Sequence, residues 1–464
     1  MKSIGIDIGT TTISIIVMNT ADFTIEESCT LDNGAFLPSS RPWERIQDVS
    51  GILRKTQTAL EEILNRTPDI SSIGLTGQMH GIVYVDQAGT AVSPLYTWQD
   101  GRGNQPDFRQ GKSVCACLSE DYGVKAASGY GMVTHLYNVQ KGLVPREAVS
   151  FCTISDYLGM ALTGRSLPLL HISQAASLGL YDCRTHTFQE EILREHNALP
   201  PALPCITPDL LPLGYFRGIL VGVSVGDNQA SFLGSVRDAE HSLLVNIGTG
   251  SQISMLSDRC CEAPGIESRP LTRDAFLLAG SALCGGLAFA ALERFFREYA
   301  AAAGAPDVPQ FETMKRFLEG TDLSADCWNV RTTFSGTREH PADSGSVTGI
   351  RLENFHPASL IRGTLNGMAE ELYALYTNII RETSQAKTRL IASGNGIRKN
   401  PALRQILESR FQMPLEIVPH QEEAAVGAAV ASLAAAKTLS LNQWLGLATG
   451  APEVHLLHGI RPIQ

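Results

Sequence analysis

The N-terminus of the chain alternates apolar residues with small or polar ones on both sides of a short polar turn. The alternation runs from Ile4 to Ile8, stops at the Gly/Thr segment 9–12, and resumes from Ile13 to Val17. A period of two residues predicts β-strands, and a short Gly/Thr connection between them predicts a hairpin. We therefore expect the chain to open with a β-hairpin.

A second copy of this pattern lies near the middle of the chain, at Leu243–Met255. Its turn glycine, Gly248, aligns with Gly9, and Asn246 then stands where the first copy has Asp7. An internal repeat near half the chain length predicts two halves with similar folds.

Between and after the two copies, short apolar runs alternate with segments of helical periodicity. This alternation predicts an α/β architecture, and the polar stretch Ser235–His241 predicts a boundary between domains 1–237 and 238–464. The predicted strands are Ile73–Thr76, Leu220–Val225 and Arg389–Ala392, and the predicted helices are Val49–Leu64, Glu190–Glu195, Leu287–Ala301 and Leu360–Thr383.

Composition excludes several classes of protein. Apolar residues make up 44% of the chain and charged residues 18%, which argues against intrinsic disorder. The net charge of −10 argues against a general nucleic-acid or membrane-surface binder, since its field repels phosphate. A phosphorylated ligand would have to be held by backbone N–H groups, by individual cations or by a metal.

We expect neither a signal peptide nor a membrane span. Asp7 interrupts the N-terminal apolar run, and glycines divide the uncharged stretch Ala275–Leu292 into a strand, a turn and a helix. The Ala-rich run Ala424–Ala436 is too short to span a membrane and predicts a buried core helix. The ten cysteines form no C-x-x-C pair and no zinc spacing, which indicates reduced structural thiols in the cytoplasm.

The two Gly/Thr turns are candidate phosphate-binding loops. A tight turn without Cβ atoms can direct several backbone N–H groups at an anion, and threonine hydroxyls add donors. Two ordinary hairpins are the alternative, and the pairing of the turns favours a polyphosphate ligand. Asp7 would hold Mg²⁺ directly or through water. The candidate phosphate contacts are Thr10, Thr11, Thr12, Gly248, Thr249 and Gly250.

Two polar motifs follow predicted strands. Asp227 follows Leu220–Val225, so its carboxylate can accept the proton of an attacking hydroxyl or can cap the next helix; the spacing leaves both open. Gln78, Met79 and His80 follow the strand Ile73–Thr76, and His80 either donates to a sugar hydroxyl or is a satisfied loop histidine.

Three further segments combine residue types found in binding sites or helix contacts. Trp98–Arg102 joins an aromatic ring, an amide, a carboxylate and a guanidinium, a mixture suited to carbohydrate; the alternative is a surface turn with a weak Asp–Arg pair. Ser393–Gly396 follows a predicted strand and suits close approach of backbone to a nucleotide. Glu422–Ala429 is interpreted as a helix start made for close packing.

In this order the motifs resemble the FGGY family of carbohydrate kinases, over essentially the whole chain. The resemblance implies a two-domain actin-like and hexokinase-like ATPase fold (ribonuclease H-like), with ATP and sugar in the cleft between the domains. It implies ATP and Mg²⁺ as cofactors, with Asp227 deprotonating the terminal primary hydroxyl of the sugar. The sugar contacts would be Gln78, Met79, His80, Trp98, Gln99, Asp100, Arg102, Asp227 and Asn228, and the nucleotide contacts would include Gly285, Gly394, Asn395 and Asn400.

Within this family, Gln78-Met79-His80 resembles the ketose kinases. Four stretches are more similar to the sedoheptulokinase branch than to the xylulokinase branch, so we expect a heptulose substrate first and a pentulose second. We expect a small ketose and ATP as partners, no nucleic acid or membrane, and a monomer or homodimer. The four stretches are Gln47–Ser50, Thr97–Arg102, Gln174–Ser177, and Gly336–His340 with Asp343.

Two other functional classes remain as alternatives. An ATP-driven chaperone or filament of the same superfamily would share both phosphate turns, but it would not need Gln78–His80 or Trp98–Arg102. A catalytically dead sugar sensor is disfavoured because the chain retains both Asp7 and Asp227.

Overall fold

The computed structural model describes residues 1–199, 201–320, 323, 326–337, 340 and 342–447. It divides into two compact units. The first comprises Met1–Asp238, Pro270–Asp274 and residues 422–447, and the second comprises the described parts of Ala239–Arg269 and Ala275–Gln421. The first crossing between the units, after Asp238, falls inside the stretch predicted to hold the boundary.

The units differ from the two continuous domains expected from the sequence. Residues 422–447, expected in the domain 238–464, belong to the first unit, and so does Pro270–Asp274. The remainder of that expected domain, residues 448–464, lies outside the described residues. The physical reason is the close packing of one late helix, Glu423–Ala435, against the first unit.

The first unit contains most of the secondary structure. Its strands are β1 (Lys2–Ile8), β2 (Thr12–Asn19), β3 (Ile25–Asp32), β4 (Ile46–Gln47), β5 (Ile70–Gly77), β6 (Val83–Val85), β7 (Leu95–Tyr96), β8 (Ser150–Cys152), β9 (Leu169–His171), β10 (Tyr181–Asp182), β11 (Thr187–Phe188), β12 (Cys205–Thr207), β13 (Pro212–Phe216), β14 (Ile219–Gly222) and β15 (Val225–Gly226). Its helices before the boundary are α1 (Val49–Arg66), α2 (Val114–Tyr122), α3 (Gly131–Gln140), α4 (Ile154–Thr163), α5 (Ile172–Ser177), α6 (Glu190–Glu195) and α7 (Asp227–Ser235), with a 3₁₀ turn at Arg102–Asn104.

The second unit follows, except that residues 270–272 at the end of one strand belong to the first unit, and two helices then return to the first. The strands are β16 (Ser242–Ile247), β17 (Ser251–Ser257), β18 (Ile266–Thr272), β19 (Ala275–Ala282), β20 (Asn329–Arg331), β21 (Ser346–Thr348), β22 (Arg389–Ser393) and β23 (Leu415–Ile417). The helices are α8 (Gly285–Ala302), α9 (Phe311–Arg316), α10 (Pro357–Thr383), α11 (Asn395–Arg398) and α12 (Pro401–Phe411), with a 3₁₀ turn at Leu352–Asn354; α13 (Glu423–Ala435) and α14 (Leu441–Trp444) belong to the first unit.

The main sheet of the first unit has the order β13-β14-β5-β1-β2-β3, and β15 also pairs with β5. Strands β1, β5 and β15 run parallel, and Ile8, Gly77 and Gly226 are neighbours across them. The predicted strand Leu220–Val225 is two short strands, β14 and β15, separated by residues 223–224. Because parallel strands end at the same edge, the residues that follow these three strands lie close together.

The main sheet of the second unit repeats this arrangement, with the order β18-β19-β17-β16-β22-β23. Strands β16, β17 and β19 form an antiparallel set like β1, β2 and β3. Strands β22 and β23 then run parallel to β16, as β5 and β14 run parallel to β1. The internal repeat read from the two Gly/Thr turns is therefore confirmed.

Helix α13 lies against β1, β5 and α7 at backbone contact distance. A Cβ atom added at Gly5, Gly74, Gly234 or Gly427 would lie 1.7–1.9 Å from a carbonyl oxygen of the facing element. Only residues without a side chain allow this approach. The expected buried core helix is confirmed, and its partner is the first unit.

One further expectation from the sequence is confirmed. The uncharged stretch Ala275–Leu292 forms strand β19, a short turn and the start of α8. All ten cysteines are free thiols. Among the helices of the described residues, none has the length and apolar content needed to cross a membrane.

Replacing Gly427 by alanine tests the close packing of α13. The added methyl would meet the carbonyl oxygen of Ala230 at 1.7 Å, so we expect the free energy of unfolding to fall by about 3 kcal/mol or more. The matched control is Gly51→Ala in α1, where the contacting atoms belong to the movable side chain of Asp48, and which should be neutral or stabilising by up to about 1 kcal/mol. Urea unfolding of both variants checks this, and equal effects would contradict the packing argument.

Candidate active site

Three predicted motifs meet at the carboxyl-terminal edge of the first sheet. Asp7 lies near the end of β1, Gln78–His80 follows β5, and Asp227 follows β15. The edge is held by hydrogen bonds between strands: the backbone N–H of Gln78 donates to Ile8 O over 2.8 Å, and Thr76 Oγ1 donates to Val225 O over 2.8 Å. The fold thus brings the metal, sugar and base candidates together at one edge of the sheet.

Asp7 lies in a concentration of negative charge. Its pKa is raised to about 7, chiefly by burial, and further by the charges of Asp227 and Glu422. Glu422 immediately precedes α13, and its Oε1 accepts a hydrogen bond from Thr30 Oγ1 over 3.3 Å. Charged carboxylates this close repel one another, so the site favours a cation or a proton.

Glu422 is a site residue that the sequence reasoning missed. The segment 422–429 was interpreted as a packing element, which α13 confirms, but the same packing brings the Glu422 carboxylate within electrostatic range of Asp7. The available signal was a pair of acidic residues at the start of a helix made of small residues.

Two buried amide side chains hold the first Gly/Thr turn. Asn33 Nδ2 donates to Gly9 O over 2.8 Å, and the backbone N–H of Asn33 donates to Thr11 O over 2.7 Å. Gln47 Nε2 donates to Thr10 O over 2.9 Å. With its carbonyl groups tied back, the turn has a fixed conformation. Neither amide was singled out as a holder of this turn from the sequence.

Thr10 connects the turn to the predicted sugar residues. Its Oγ1 accepts from Trp98 Nε1 over 2.9 Å and donates to Gln78 Oε1 over 3.4 Å. Gln78, which is buried, also donates through Nε2 to Gln47 Oε1 over 2.9 Å. The hydroxyl of Thr10 is therefore engaged by protein, whereas Thr11 and Thr12 are exposed.

Asp227 is not the cap of α7. The N-cap residue is Gly226, and Asp227 is the first residue of the helix, so the capping alternative is wrong. Next to it, Asn228 Oδ1 is buried and has no hydrogen-bond partner among the described residues. Met79 packs against Gly226, where an added Cβ would lie 2.9 Å from its sulfur. An unpaired buried acceptor is costly unless a ligand or water satisfies it.

His80 is half-buried and tightly held. Its backbone has a φ of 75°, in the left-handed region. Its ring stacks on Tyr130, with 4.7 Å between centroids and 9° between planes. Its Nδ1 lies 2.7 Å from Ser177 O, and its backbone N–H donates to Ser177 Oγ over 3.1 Å.

The segment Trp98–Arg102 divides into an exposed and a buried pair. Trp98 and Gln99 are exposed, and Gln99 lines an open cavity of about 310 Å³. Asp100 and Arg102 are each 1% exposed, and Arg102 Nε donates to Asp100 Oδ1 over 2.7 Å. The alternative of a solvated Asp–Arg turn is therefore wrong.

Arg102 makes further contacts with protein on several sides. Its Nη1 and Nη2 donate to Asn138 Oδ1 over 2.6 Å and to Glu44 Oε1 over 3.2 Å, and its guanidinium lies 4.2 Å from the ring centroid of Tyr96. Burial lowers the pKa of Arg102, and bonding to Asp100 more than offsets this, so the net shift is upward. These contacts favour a positioning role for Asp100 and Arg102, behind the exposed Trp98 and Gln99.

In the second unit, the second Gly/Thr turn lies against the start of α8. The backbone N–H groups of Gly286 and Leu287 donate to Gly248 O and Thr249 O, both over 2.9 Å. An added Cβ at Gly285 would lie 2.5 Å from the carbonyl carbon of Gly250. The candidate nucleotide residues Gly248, Thr249, Gly250 and Gly285 are thus brought together.

The other predicted nucleotide residues lie at the neighbouring strand β22. Gly394 has a φ of 88°, and an added Cβ would lie 2.4 Å from Ile247 O, so this position requires glycine. Asn395 is exposed at the start of α11. Asn400 is buried, and its Oδ1 caps α12 by accepting from the N–H of Leu403, which indicates a structural role.

No group of three or more His, Cys, Asp or Glu residues within the described ranges has metal-site geometry. Asp7 is nevertheless a suitable ligand for Mg²⁺. This ion usually keeps several waters and binds one or two carboxylates together with phosphate oxygens. Asp7 would supply one such carboxylate, and the negative charges of Asp227 and Glu422 near it favour a cation.

Comparisons with known proteins match this arrangement. The model for the FGGY family of carbohydrate kinases, N-terminal domain, matches residues 3–210, and that for the C-terminal domain matches residues 243–436. The chain is 26% identical to sedoheptulokinase from Homo sapiens over 93% of this chain and 97% of the relative. It is 27% identical to xylulose kinase from Staphylococcus xylosus over 53% of each chain.

Solved structures support the fold. The crystal structure of xylulose kinase from Rhodospirillum rubrum superposes with a TM-score of 0.80 at 20% identity, over 95% of this chain and 92% of that one. The two-domain actin-like ATPase fold expected from the sequence is therefore confirmed. Residues 338–339, inside one of the family-like stretches, lie outside the described residues.

Replacing Arg102 by methionine tests the structural role of this residue. The change leaves the buried Asp100 carboxylate without its guanidinium partner, so we expect the free energy of unfolding to fall by about 3–5 kcal/mol. The double variant Asp100→Asn with Arg102→Met should recover part of this loss, because no uncompensated charge is then buried at position 100. Urea unfolding measures both, and an unchanged stability of Arg102→Met would contradict the structural role.

Proposed function

Because this chain belongs to the FGGY family of carbohydrate kinases, we propose that it transfers the γ-phosphoryl group of ATP to the terminal primary hydroxyl of a ketose, sedoheptulose in first place. The observation that carries the proposal is the meeting of Asp7, Gln78–His80 and Asp227 at one edge of the sheet. Family membership argues against a chaperone or filament, and the presence of both aspartates argues against a dead sensor.

Two arguments support a heptulose over a pentulose. The similarity to the human sedoheptulokinase extends over 93% of the chain. In addition, stretches that resemble the sedoheptulokinase branch contact the proposed sugar residues: Gln47 bonds to Gln78, and Ser177 bonds to His80. The similarity to a xylulose kinase makes a pentulose the second candidate.

Asp227 is proposed as the general base. One oxygen of its carboxylate accepts the proton of the sugar hydroxyl, whose oxygen forms the new bond to the γ-phosphorus as the bond to the ADP oxygen breaks. Such a group contributes about 10²–10⁴-fold to the rate. His80, Asn228 and Trp98 would orient the sugar, since transfer of this kind depends mainly on positioning and electrostatics.

The two Gly/Thr turns would bind the phosphates of ATP. Asn33 and Gln47 tie back the carbonyl oxygens of the first turn, and tight Gly/Thr turns suit anion binding through their N–H groups and hydroxyls. Asp7 would hold Mg²⁺, which when bound offsets negative charge on the phosphates. Residues Gly285, Gly394 and Asn395 would contact the nucleotide.

An ATP-coupled assay across sedoheptulose, xylulose, ribulose, fructose and glycerol tests the substrate. We expect the highest kcat/KM for sedoheptulose and a lower value for xylulose, with a modest ratio, because one carbon changes binding by only about 1–3 kcal/mol. A preference for xylulose or ribulose would support the pentulose alternative. Activity on none of the ketoses would refute the proposed function.

Replacing Asp227 by alanine tests the base. We expect kcat to fall by about 10²–10⁴-fold, because no carboxylate accepts the hydroxyl proton. Asp227→Asn keeps the shape and should lose a similar factor. Binding of ATP, measured by calorimetry, should persist in both, and near-normal turnover would remove Asp227 from this role.

A further inference from the structure

We propose that the short helix α5 positions both the base and the sugar-binding histidine, with Ser173 and Ser177 as the positioning residues. This inference rests on the proposed function for its kinetic meaning, but the contacts themselves lie within the first unit. The helix spans only Ile172–Ser177 and lies in the interior: five of its six residues are buried.

The end of α5 holds His80 at two points. The backbone N–H of His80 donates to Ser177 Oγ, and the ring Nδ1 lies 2.7 Å from Ser177 O. A carbonyl oxygen only accepts, so Nδ1 must carry the proton. The ring is thereby fixed in position for its proposed contact with the sugar.

The start of α5 holds the strand that precedes Asp227. The backbone N–H of Gly226 donates to Ser173 Oγ over 2.9 Å. Gln174 Nε2 donates to Val225 O over 3.0 Å. Both residues of β15 are thereby fixed to α5, immediately before the proposed base.

The orientation of the Ser173 hydroxyl is itself determined. His171 Nδ1 accepts the backbone N–H of Ser173 over 3.3 Å, and Ser173 Oγ lies 2.8 Å from the same nitrogen. Burial lowers the pKa of His171 to about 4, so the ring is neutral near pH 7 and Nδ1 is an acceptor. Ser173 therefore donates to His171 and keeps its lone pairs for the N–H of Gly226.

The two attachments are joined within the helix, because Ser177 Oγ donates to Gln174 O over 2.7 Å. One rigid turn thus fixes the separation between Asp227 and His80. In a transfer reaction this separation sets where the hydroxyl lies relative to the base, and small displacements of reacting groups are costly.

Kinetics of three serine variants test this role. Ser177→Ala should raise the KM for the ketose by about five- to tenfold with the KM for ATP unchanged, since it removes the hydrogen bond to the backbone of His80. Ser173→Ala should instead lower kcat by a similar factor, with little change in the ketose KM. The matched control, Ser150→Ala, removes a buried hydroxyl that, among the described residues, bonds only to Ala202 O, and it should keep both parameters.

Histidine NMR tests the same inference without any activity. In protein labelled with ¹⁵N-histidine, the His80 signal, identified by its loss in His80→Gln, should show the tautomer protonated at Nδ1. A tautomer protonated at Nε2 would overturn the inference, as would serine variants that match the control. If wild-type protein phosphorylates no ketose while His80 shows the Nδ1–H form, the proposed function fails and the structural assignment of Ser177 stands.

Discussion

The site depends on the contact of helix α13 with the first sheet and with helix α7. Four glycines allow backbone to approach backbone, and a single methyl at any of them would collide with a carbonyl oxygen. This contact returns the late part of the chain to the first unit and sets Glu422 near Asp7. Packing and electrostatics are therefore one constraint here, because moving the helix would also change the charge around Asp7.

The parallel strands then determine where the candidate site residues lie. Strands β1, β5 and β15 end together, so a metal candidate, a sugar-binding segment and a proposed base share one edge. Hydrogen bonds link these parts laterally, from Trp98 through Thr10 to Gln78 and Gln47, and from His80 through α5 to Gly226. A phosphoryl transfer depends on the relative positions of the reacting groups. These hydrogen bonds fix each candidate group relative to its neighbours.

Burial decides which polar residues are accessible to a ligand. Trp98 and Gln99 are exposed, whereas Asp100 and Arg102, from the same short motif, neutralise each other in the interior. In the second unit, the side chain of Asn400 caps helix α12, while Asn395 is exposed. Residue type alone does not separate these cases, because a carboxylate or an amide serves equally well as a ligand or as a structural partner.

The sequence by itself determined the repeated hairpins, the α/β alternation, the helices near Val49 and Leu360, and the position of Asp227 after a strand. These features are local: the period of apolar residues and the glycines of a turn act over a few neighbours. Only the tertiary structure decided that residues 422–447 join the first unit, that Glu422 raises the pKa of Asp7, and that Ser177 fixes the proton of His80. Each of these arises from contacts between segments distant along the chain, and such contacts leave no periodic trace in the sequence.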